Sequence, residues 1–576
     1  MAAGVAVLAP SASVDRAAAI ENGDIAFAGK RLGKPVIYMR DPAPGALQLV
    51  PTNGWAGEPA VSPGGRRIAF TRRGRLGAQV WTAYTDGTAL LQVTSGPSDS
   101  GPRWSPAGDA VVFARGAKGA RDIYRVWADG SGLRRLTFAP GDDHAPTWSV
   151  QERIAFVRSS PQGGDLYTAP AGGGRARGLT RGPADDSSPA WSPTGRTVAF
   201  ARDRREGHDL YLVTADGSSE RRLTALPGDE SEPAWSPDGR WIAFVHRQEG
   251  RRRLRLLRVG RRPPSRLGSW RVRDLESSRA EPRSPHWQPT GFDPVIAAAG
   301  DIACDPTDRN FGAGLGAAAS CRQRQTSDLL FRMDLTAILA PGDLQYEDGR
   351  LWKFQQSFDL SWGRLKPLIR PVPGNHEYED PGAAGYFDYF NGPGQVTGPA
   401  GRRDQGFYSF DVGDWHVIAL NSECREIGGC AAGSPQEQWL RADLAAHPRA
   451  CTIAFWHIPR FTSGRDEPNT PMLPIWNALY EANADVVING HEHFYERFAP
   501  QAPDGSTDLA RGIREFIVGT GGRSRLSFHT VAPNSERRDN GNNGVLKLTL
   551  GDGAYGWEFV QVRSGAVLDW GQMSCH

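Results

Sequence analysis

PAWSPTGRTVAF, residues 189–200, sets the reading of the first half of this chain. The phrase returns as PAWSPDGRWIAF at 233, PRWSPAGDAVVF at 102, PTWSVQERIAF at 146 and PAVSPGGRRIAF at 59, with a truncated PHWQP at 285. Its terminal phenylalanines are Phe27, Phe70, Phe113, Phe156, Phe200 and Phe244, spaced 43, 43, 43, 44 and 44 residues apart. Each unit carries a second strand and a turn, as in DIYRVWADGSGLRRLT (122–137) and DLYLVTADGSSERRLT (209–224). Asp-Gly pairs favour the positive-φ turns that close hairpins. A period near 43 built from short strands and such turns indicates propeller blades rather than a helical solenoid.

One blade cannot bury both of its faces, so the blades must stack around an axis. Six such units predict six blades. ENGDIAF (21–27) lacks a preceding Pro-x-Trp phrase, and PHWQP (285–289) lacks a following IAF. Pairing these two segments closes the ring. Trp104, Trp148, Trp191, Trp235 and Trp287 are expected between blades. These residues resemble the TolB-like, or PD40 WD40-like, propeller family over about 21–290. The resemblance implies a fold and an interaction or scaffold role, with a protein or cell-wall partner, and no particular chemistry.

The chain has 576 residues, too long for one hydrophobic core. Net charge is +3, which selects no partner, and six lysines stand against 61 arginines. No duplex nucleic-acid partner is expected. The densest basic run, RRRLRLLRVGRRPPSRLGSWRVR (251–273), reads as a solvated face or as a patch for anionic polymers or lipid headgroups. No apolar stretch reaches the ~18–20 residues of a membrane helix. MAAGVAVLAPSASVDRA at the start reads as the tail of a secretory leader or as a disordered segment, over about 1–20. Six cysteines, all in the second half and without a Cys-x-x-Cys pair, fit disulfides in an oxidising compartment better than a zinc site. Six cysteines allow 15 pairings. The pairing expected here is Cys304–Cys321, Cys424–Cys430 and Cys451–Cys575, the first two on local spacing. Secretion or exposure at the cell surface follows as an expectation.

After residue 291 the pattern changes. Apolar, strand-like runs now end in short polar motifs: VIAAA in GDIACD, LTAILAP in GDLQYED, LIRPVP in GNHEYED, CTIAFW in HIPR and DVVIN in GHEHFYER. SPQEQWLRADLAAH (434–447) and MLPIWNALYEANA (472–484) have helical character, and HVIALNSE (416–423) adds a strand. Alternating strands and helices suggest layered α/β structure, in which ligands gather beyond the carboxyl ends of strands. A Gly-Asp after a strand is usually a turn, and Asp343 and Tyr346 taken singly are ordinary loop residues. As a set, Asp301, Asp343, Tyr346, Asn375, His457, His491 and His493 supply seven oxygen and nitrogen donors just past strand ends. That is enough for two metal ions if one carboxylate bridges. Cys304, three residues after Asp301, is an alternative soft ligand.

This order resembles the calcineurin-like metallophosphoesterase superfamily over about 293–576, and within it the purple acid phosphatase branch. Two features carry the narrower resemblance: Ala303 stands where most of the superfamily has a metal-binding histidine, and Tyr346 follows Asp343 by three residues. The resemblance implies a four-layer α/β (α+β) sandwich, so the expected architecture is an all-β six-bladed propeller (21–290) followed by that sandwich (291–576). It also implies two metal ions, Fe(III) with Fe, Zn or Mn. The first would take Asp301, Asp343, Tyr346 and His493, the second Asp343, Asn375, His457 and His491, with Asp343 shared. His376 is the candidate to bind a phosphate ester and protonate its leaving oxygen. Glu377 either orients His376 or serves the backbone.

The branch usually brings further histidines into its pocket, yet 458–490 contains none. Arg460 and Arg465 are the nearby alternatives for phosphate. The Gly-rich segment 391–406 is expected near the mouth of the site. Phosphomonoester hydrolysis leads. A phosphodiesterase or nucleotide hydrolase, or a propeller-based binding protein with a vestigial metal domain, are the alternatives.

Overall fold

The computed structural model describes residues 21–576, apart from 32, 42–46, 53, 76, 162, 205–206, 260–271, 278–280, 318–319, 450 and 466–469. The possible leader at 1–20 and most of the second half of the basic run at 251–273 lie outside the described residues. The chain divides into two compact units. One takes in the residues up to Gly65, Gly116–Asp122 and Thr137–Phe292; the other takes in Arg66–Arg115, Ile123–Leu136 and Asp293–His576.

Residues 21–290 form six four-stranded antiparallel sheets, the blades of a β-propeller. The ring closes as the repeat predicts: strand Arg283–Thr290 pairs with Glu21–Arg31, placing Trp287 opposite Ile25 and His286 opposite Ala26. The six phase-marking phenylalanines are all fully buried. Their tryptophan partners pack between blades. Trp191 meets Val157 and Leu166 of the preceding sheet and Phe200 of its own, and Trp287 meets Ala234 and Leu254 of the fifth sheet.

The repeated proline has a backbone consequence. The residue before it has positive φ in every blade: Glu58 (52°), Gly101 (62°), Ala145 (49°), Ser188 (53°), Glu232 (56°) and Ser284 (48°). In the second to fifth of these sheets the register slips across that Pro, as between Ser187 and Ala190 and between Ser231 and Ala234. A bulge is where a strand accommodates a residue that cannot donate to the ladder. Three blades also bury a forked ion pair at the strand start. Arg115 holds Asp99, Arg158 holds Asp143 and Arg202 holds Asp186, at 2.6 to 2.8 Å. The next blade substitutes His246 and Glu230, 3.7 Å apart.

The chain after Phe292 builds two sheets. The first has the order Ile369–Val372, Ala337–Pro341, Val295–Ala298, Gly544–Gly551, Ala554–Gln561, Val567–Ser574. The second has the order Tyr408–Val412, Trp415–Ala419, Cys451–Phe455, Val486–Asn489, Arg514–Val518, Tyr495–Phe498, Ser535–Asp539. Their inner faces share one core, in which Ile296, Leu339 and Leu546 meet Ile453, Ile488 and Phe516. Helix Gln323–Arg332 and the aromatic segments 354–362 and 386–390 cover the outside of the first sheet. Helices Pro435–Ala446 and Leu473–Glu481 cover the second. The result is the expected four-layer sandwich.

Parallel pairing runs through Val295–Ala298, Ala337–Pro341 and Ile369–Val372 in one sheet. It also runs through Trp415–Ala419, Cys451–Phe455 and Val486–Asn489 in the other. Parallel strands deliver their carboxyl ends, and the loops that follow, to one end of the sandwich. Disulfides Cys304–Cys321, Cys424–Cys430 and Cys451–Cys575 form as the expected pairing has them. Cys304 is therefore not a thiolate ligand. Among the described residues no helix is long and apolar enough to cross a membrane.

Candidate metal centre

All seven predicted donors meet at the carboxyl ends of the parallel strands. They form two groups that share Asp343. In the first, the Tyr346 hydroxyl stands 2.7 Å from Asp301 Oδ1, 3.0 Å from Asp343 Oδ2 and 3.0 Å from His493 Nε2. In the second, His457 Nε2 stands 3.3 Å from Asp343 Oδ2, 3.1 Å from Asn375 Oδ1 and 3.2 Å from His491 Nδ1. Asp343 Oδ2 is common to both.

The donor set fits cations. One phenol proton cannot serve three acceptors. Donors about 2.0–2.2 Å from a metal ion stand about 2.8–3.6 Å from one another in octahedral or tetrahedral arrangements, close to the 2.7 to 3.3 Å found here. The ring tautomers agree. His457 Nδ1 lies 2.9 Å from the Pro341 carbonyl and His493 Nδ1 2.5 Å from the Ser524 carbonyl, so each Nδ1–H is donated away and each Nε2 lone pair faces the centre.

Local backbone explains how loops come this close. Asp301, Asp343 and His491 all have positive φ, at 58°, 50° and 70°. Such conformations are costly for residues with side chains and cluster at functional sites. The glycines that precede the donors supply the approach. A Cβ at Gly374 would lie 2.6 Å from the Asp343 amide nitrogen and 2.8 Å from His457 Cδ2, and one at Gly342 would lie 2.5 Å from His457 Cγ.

The electrostatics follow from burying these charges together. Burial works to raise the Asp343 carboxyl, but the imidazoles of His457, His376 and His491 outweigh it and hold it well below the usual carboxylate range. Burial, reinforced by the Asp301 and Asp343 carboxylates, keeps the Tyr346 phenol protonated far above its ordinary range, so ionising it takes a local cation.

His376 lies at the edge of the cluster. Its Nδ1 faces the Glu347 carbonyl at 2.5 Å and its Nε2 stands 3.8 Å from Asp343 Oδ2. The Glu347 carbonyl, not Glu377, therefore orients the ring. Glu377 has the backbone role: fully buried, it accepts N–H bonds from Leu344 (2.9 Å), Gln345 (3.0 Å) and Gly374 (2.8 Å). It thereby staples the Asp343 loop to the Asn375 loop. Burial and the nearby Asp343 push its carboxyl up to about 8.

Arg460 is not in direct contact with the seven donors in the described geometry. Its guanidinium packs 4.7 Å over the Phe461 ring, and its amide donates to buried Glu515 at 3.0 Å. Arg465 is exposed. Segment 391–406 reaches the neighbourhood of the centre. Asn421 Nδ2 donates to the Gln405 carbonyl and to the Tyr378 hydroxyl. Tyr378 in turn ends the short helix Asn375–Tyr378. Tyr378, Val396, Arg402, Arg403 and Glu426 line a cleft of about 540 Å³.

Sequence reasoning missed Arg523, whose amide donates to the Asp301 carbonyl at 2.9 Å and whose guanidinium carbon lies 4.7 Å from the Tyr346 ring centroid. A signal existed, because REFIV (514–518) runs into GTGGRS just as the other strands run into their motifs.

Residues 9–152 and 151–291 match the TolB beta propeller domain, and residues 317–495 match the calcineurin-like phosphoesterase family. The chain thus carries a TolB-like propeller region followed by a calcineurin-like metallophosphoesterase domain. Its relatives include purple acid phosphatase 18 of Arabidopsis thaliana, 30% identical over 229 residues, which cover 37% of this chain and 50% of the relative. Purple acid phosphatase 22 of the same plant is 31% identical over 248 residues, covering 38% and 53%. Among solved structures, the purple acid phosphatase PPD1 from yellow lupin seeds covers 88% of this chain and 93% of its own at 15% identity and a TM-score of 0.40. The chain spans about half the length of the curated relatives it matches.

Proposed function

We propose that residues 291–576 hydrolyse phosphate monoesters at a dinuclear metal centre, and that the propeller of residues 21–290 is an interaction module for a protein or cell-wall partner, outside the cytoplasm. The observation that carries this reading is the sharing of Asp343 Oδ2, 3.0 Å from the Tyr346 hydroxyl and 3.3 Å from His457 Nε2. Asp301, Tyr346 and His493 would hold one ion, Fe(III) by the preference of a hard tyrosinate donor. Asn375, His457 and His491 would hold the other, Fe, Zn or Mn. Two such ions supply an activated water and neutralise phosphate charge.

The rest falls to the chain's own groups. With Nδ1–H given to the Glu347 carbonyl, a proton on His376 Nε2 faces the side where a bound ester would sit and is available to the leaving oxygen. Glu377 holds the Asp343 and Asn375 loops at fixed spacing, so the donors need little rearrangement. The cleft beside Tyr378 receives the ester's organic portion, with Arg402 and Arg403 on its wall. Arg460 remains a candidate phosphate contact if its guanidinium swings off Phe461.

The test is a comparison of kcat/KM on p-nitrophenyl phosphate and on bis(p-nitrophenyl) phosphate, using iron-loaded full-length protein. A monoester preference is expected. A strong diester preference overturns the monoesterase reading and favours a phosphodiesterase. Inactivity on both, with metal bound, favours a propeller-based binding protein.

A further inference from the structure

The third and fourth blades of the propeller hold the same aspartate in two different settings. Asp165 lies on strand Gly163–Pro170 opposite Arg158, and Asp209 lies on strand Gly207–Thr214 opposite Arg202. Asp209 is gripped from two sides, with Arg204 Nη1 and Arg222 Nη2 each 2.7 Å from its Oδ2. The register shows what stands in place of those arginines one blade earlier. Arg204 is opposite Gly207, and Ser160 is opposite Gly163. Arg222 is opposite Tyr211, and Gly178 is opposite Tyr167. Ser160 and Gly178 thus take the places of Arg204 and Arg222, and Asp165 keeps the carboxylate without its guanidinium groups. Among the described residues no ion pair or hydrogen bond reaches the Asp165 side chain, and its Oδ1 is buried without a partner. A carboxylate removed from water without a cation is costly. Burial, and after it the nearby Asp186, raises this carboxyl above its ordinary 3.8.

Asp165 lines a cleft of about 960 Å³ whose residues all lie within one of the two compact units. Asp185 lines it too, with Oδ1 accepting the Gly164 amide at 2.5 Å. The guanidinium groups in the cleft wall are already committed. Arg121 forks onto Asp142 at 2.8 and 2.6 Å. Arg158 forks onto Asp143 at 2.7 Å and lies 4.6 Å from the Tyr167 ring centroid. That leaves the exposed Lys118 against the two carboxylates of Asp165 and Asp185, so the cleft is short of one positive charge. The fourth blade shows the kind of cation this aspartate accepts, a planar guanidinium suited to carboxylate oxygens.

We propose that the cleft around Asp165 and Asp185 is a docking site for an arginine side chain of a partner protein, whose guanidinium takes the place that Arg204 and Arg222 hold at Asp209. The proposal deepens the interaction-module reading of the propeller and rests on it for the partner being a protein. Nothing in it depends on the dinuclear centre.

The experiment titrates full-length protein with acetyl-Gly-Gly-Arg-Gly-Gly-amide and with its lysine and citrulline counterparts, followed by saturation-transfer NMR. The arginine peptide is expected to bind saturably, and the uncharged citrulline peptide about 10–100-fold more weakly, the loss expected for one hydrogen bond to a charged group. Asp165→Asn should weaken the arginine peptide by a similar factor without lowering the midpoint of denaturant unfolding, because Asp165 holds no partner of its own. Ser160→Arg combined with Gly178→Arg rebuilds the fourth-blade clamp from the chain's own side chains and should abolish peptide binding. A Cβ at Gly178 meets nothing closer than 3.7 Å, so that arginine can be installed. No saturable binding of the arginine peptide, or equal binding by wild type and Asp165→Asn, overturns the proposal. Equal binding of the arginine and lysine peptides overturns the guanidinium assignment. A failed site leaves the other propeller surfaces to the interaction reading, and phosphatase activity is unchanged in both variants, so the readings fail separately.

Discussion

The guanidinium carbon of Arg523 lies 4.7 Å from the centroid of the Tyr346 ring. Two carboxylates hold it there, Asp308 at 3.2 Å from Nη1 and Glu347 at 2.5 Å from Nη2. A cation over an aromatic face draws on the ring's electron density, here on a phenol that would serve as metal ligand. In iron-loaded protein, Arg523→Leu is expected to move the tyrosinate charge-transfer band to longer wavelength, and Tyr346→Phe to abolish it. An Arg523→Leu spectrum superimposable on wild type would show that the guanidinium only packs.

His376→Ala is expected to lower kcat by about 10²–10⁴-fold while elemental analysis finds the metal content unchanged. Because its assigned task is to protonate the leaving oxygen, the loss should be larger on an alkyl phosphate than on p-nitrophenyl phosphate, whose phenolate leaves without help. Equal losses on both substrates would reduce His376 to a phosphate contact.

The fifth blade carries a pH dependence of its own. Burial pushes the Glu230 carboxyl up to about 8 from an ordinary 4.5, and burial pulls the His246 imidazole below its ordinary 6.5. For Glu230 the folded state binds the extra proton, so stability falls as pH rises from about 4.5 to about 8. For His246 the folded state binds fewer protons, so stability falls as pH drops below about 6.5. Glu230→Gln should therefore remove the alkaline-side decline and leave the acid-side decline in place, read as the midpoint of denaturant unfolding across pH 4 to 9. An unchanged decline between pH 5 and 8 would count against a buried, protonated Glu230.

The disulfides should contribute unequally. Cys451–Cys575 closes 124 residues of chain, whereas Cys424–Cys430 closes only 6. Loop-closure entropy grows with the length closed. Replacing the first pair with serine is expected to cost about 2–5 kcal/mol, and replacing the second pair less, measured by denaturant titration without reductant. The opposite order would place the stabilisation in local geometry rather than in the unfolded chain.

The local chemistry of the chain was legible residue by residue. Pro-x-Trp-Ser-Pro followed by Ile-Ala-Phe states both the strand period and the turn, so the blade count and the joining of segments 21–27 and 285–289 followed without coordinates, whereas the register that sets Trp287 opposite Ile25 did not. The seven donors were legible because each follows an apolar run, and parallel strands carry such positions to one end of a sheet. Glu377 was ambiguous for a physical reason: a glutamate beside a histidine has the same sequence whether it faces that ring or three backbone amides. Arg523 escaped notice although REFIV (514–518) delivers its loop as the other strands deliver theirs, because the residue itself is no metal donor and its stacking on a ring leaves no spacing signature. Asp165 and Asp209 read alike because they hold one place in the repeat, while the groups around them come from other strands.

By itself, then, the amino-acid order determined the repeat, the strand-then-loop rhythm and the chemical identity of each donor, since these depend on neighbours along the chain. Only the tertiary structure decided which groups face one another: Asp343 between two groups of donors, the Glu347 carbonyl behind His376, the Arg204 and Arg222 guanidinium groups on Asp209. Those relationships depend on sheet register and loop approach over separations that include the 190 residues between Asp301 and His491, where side-chain order carries no distance information.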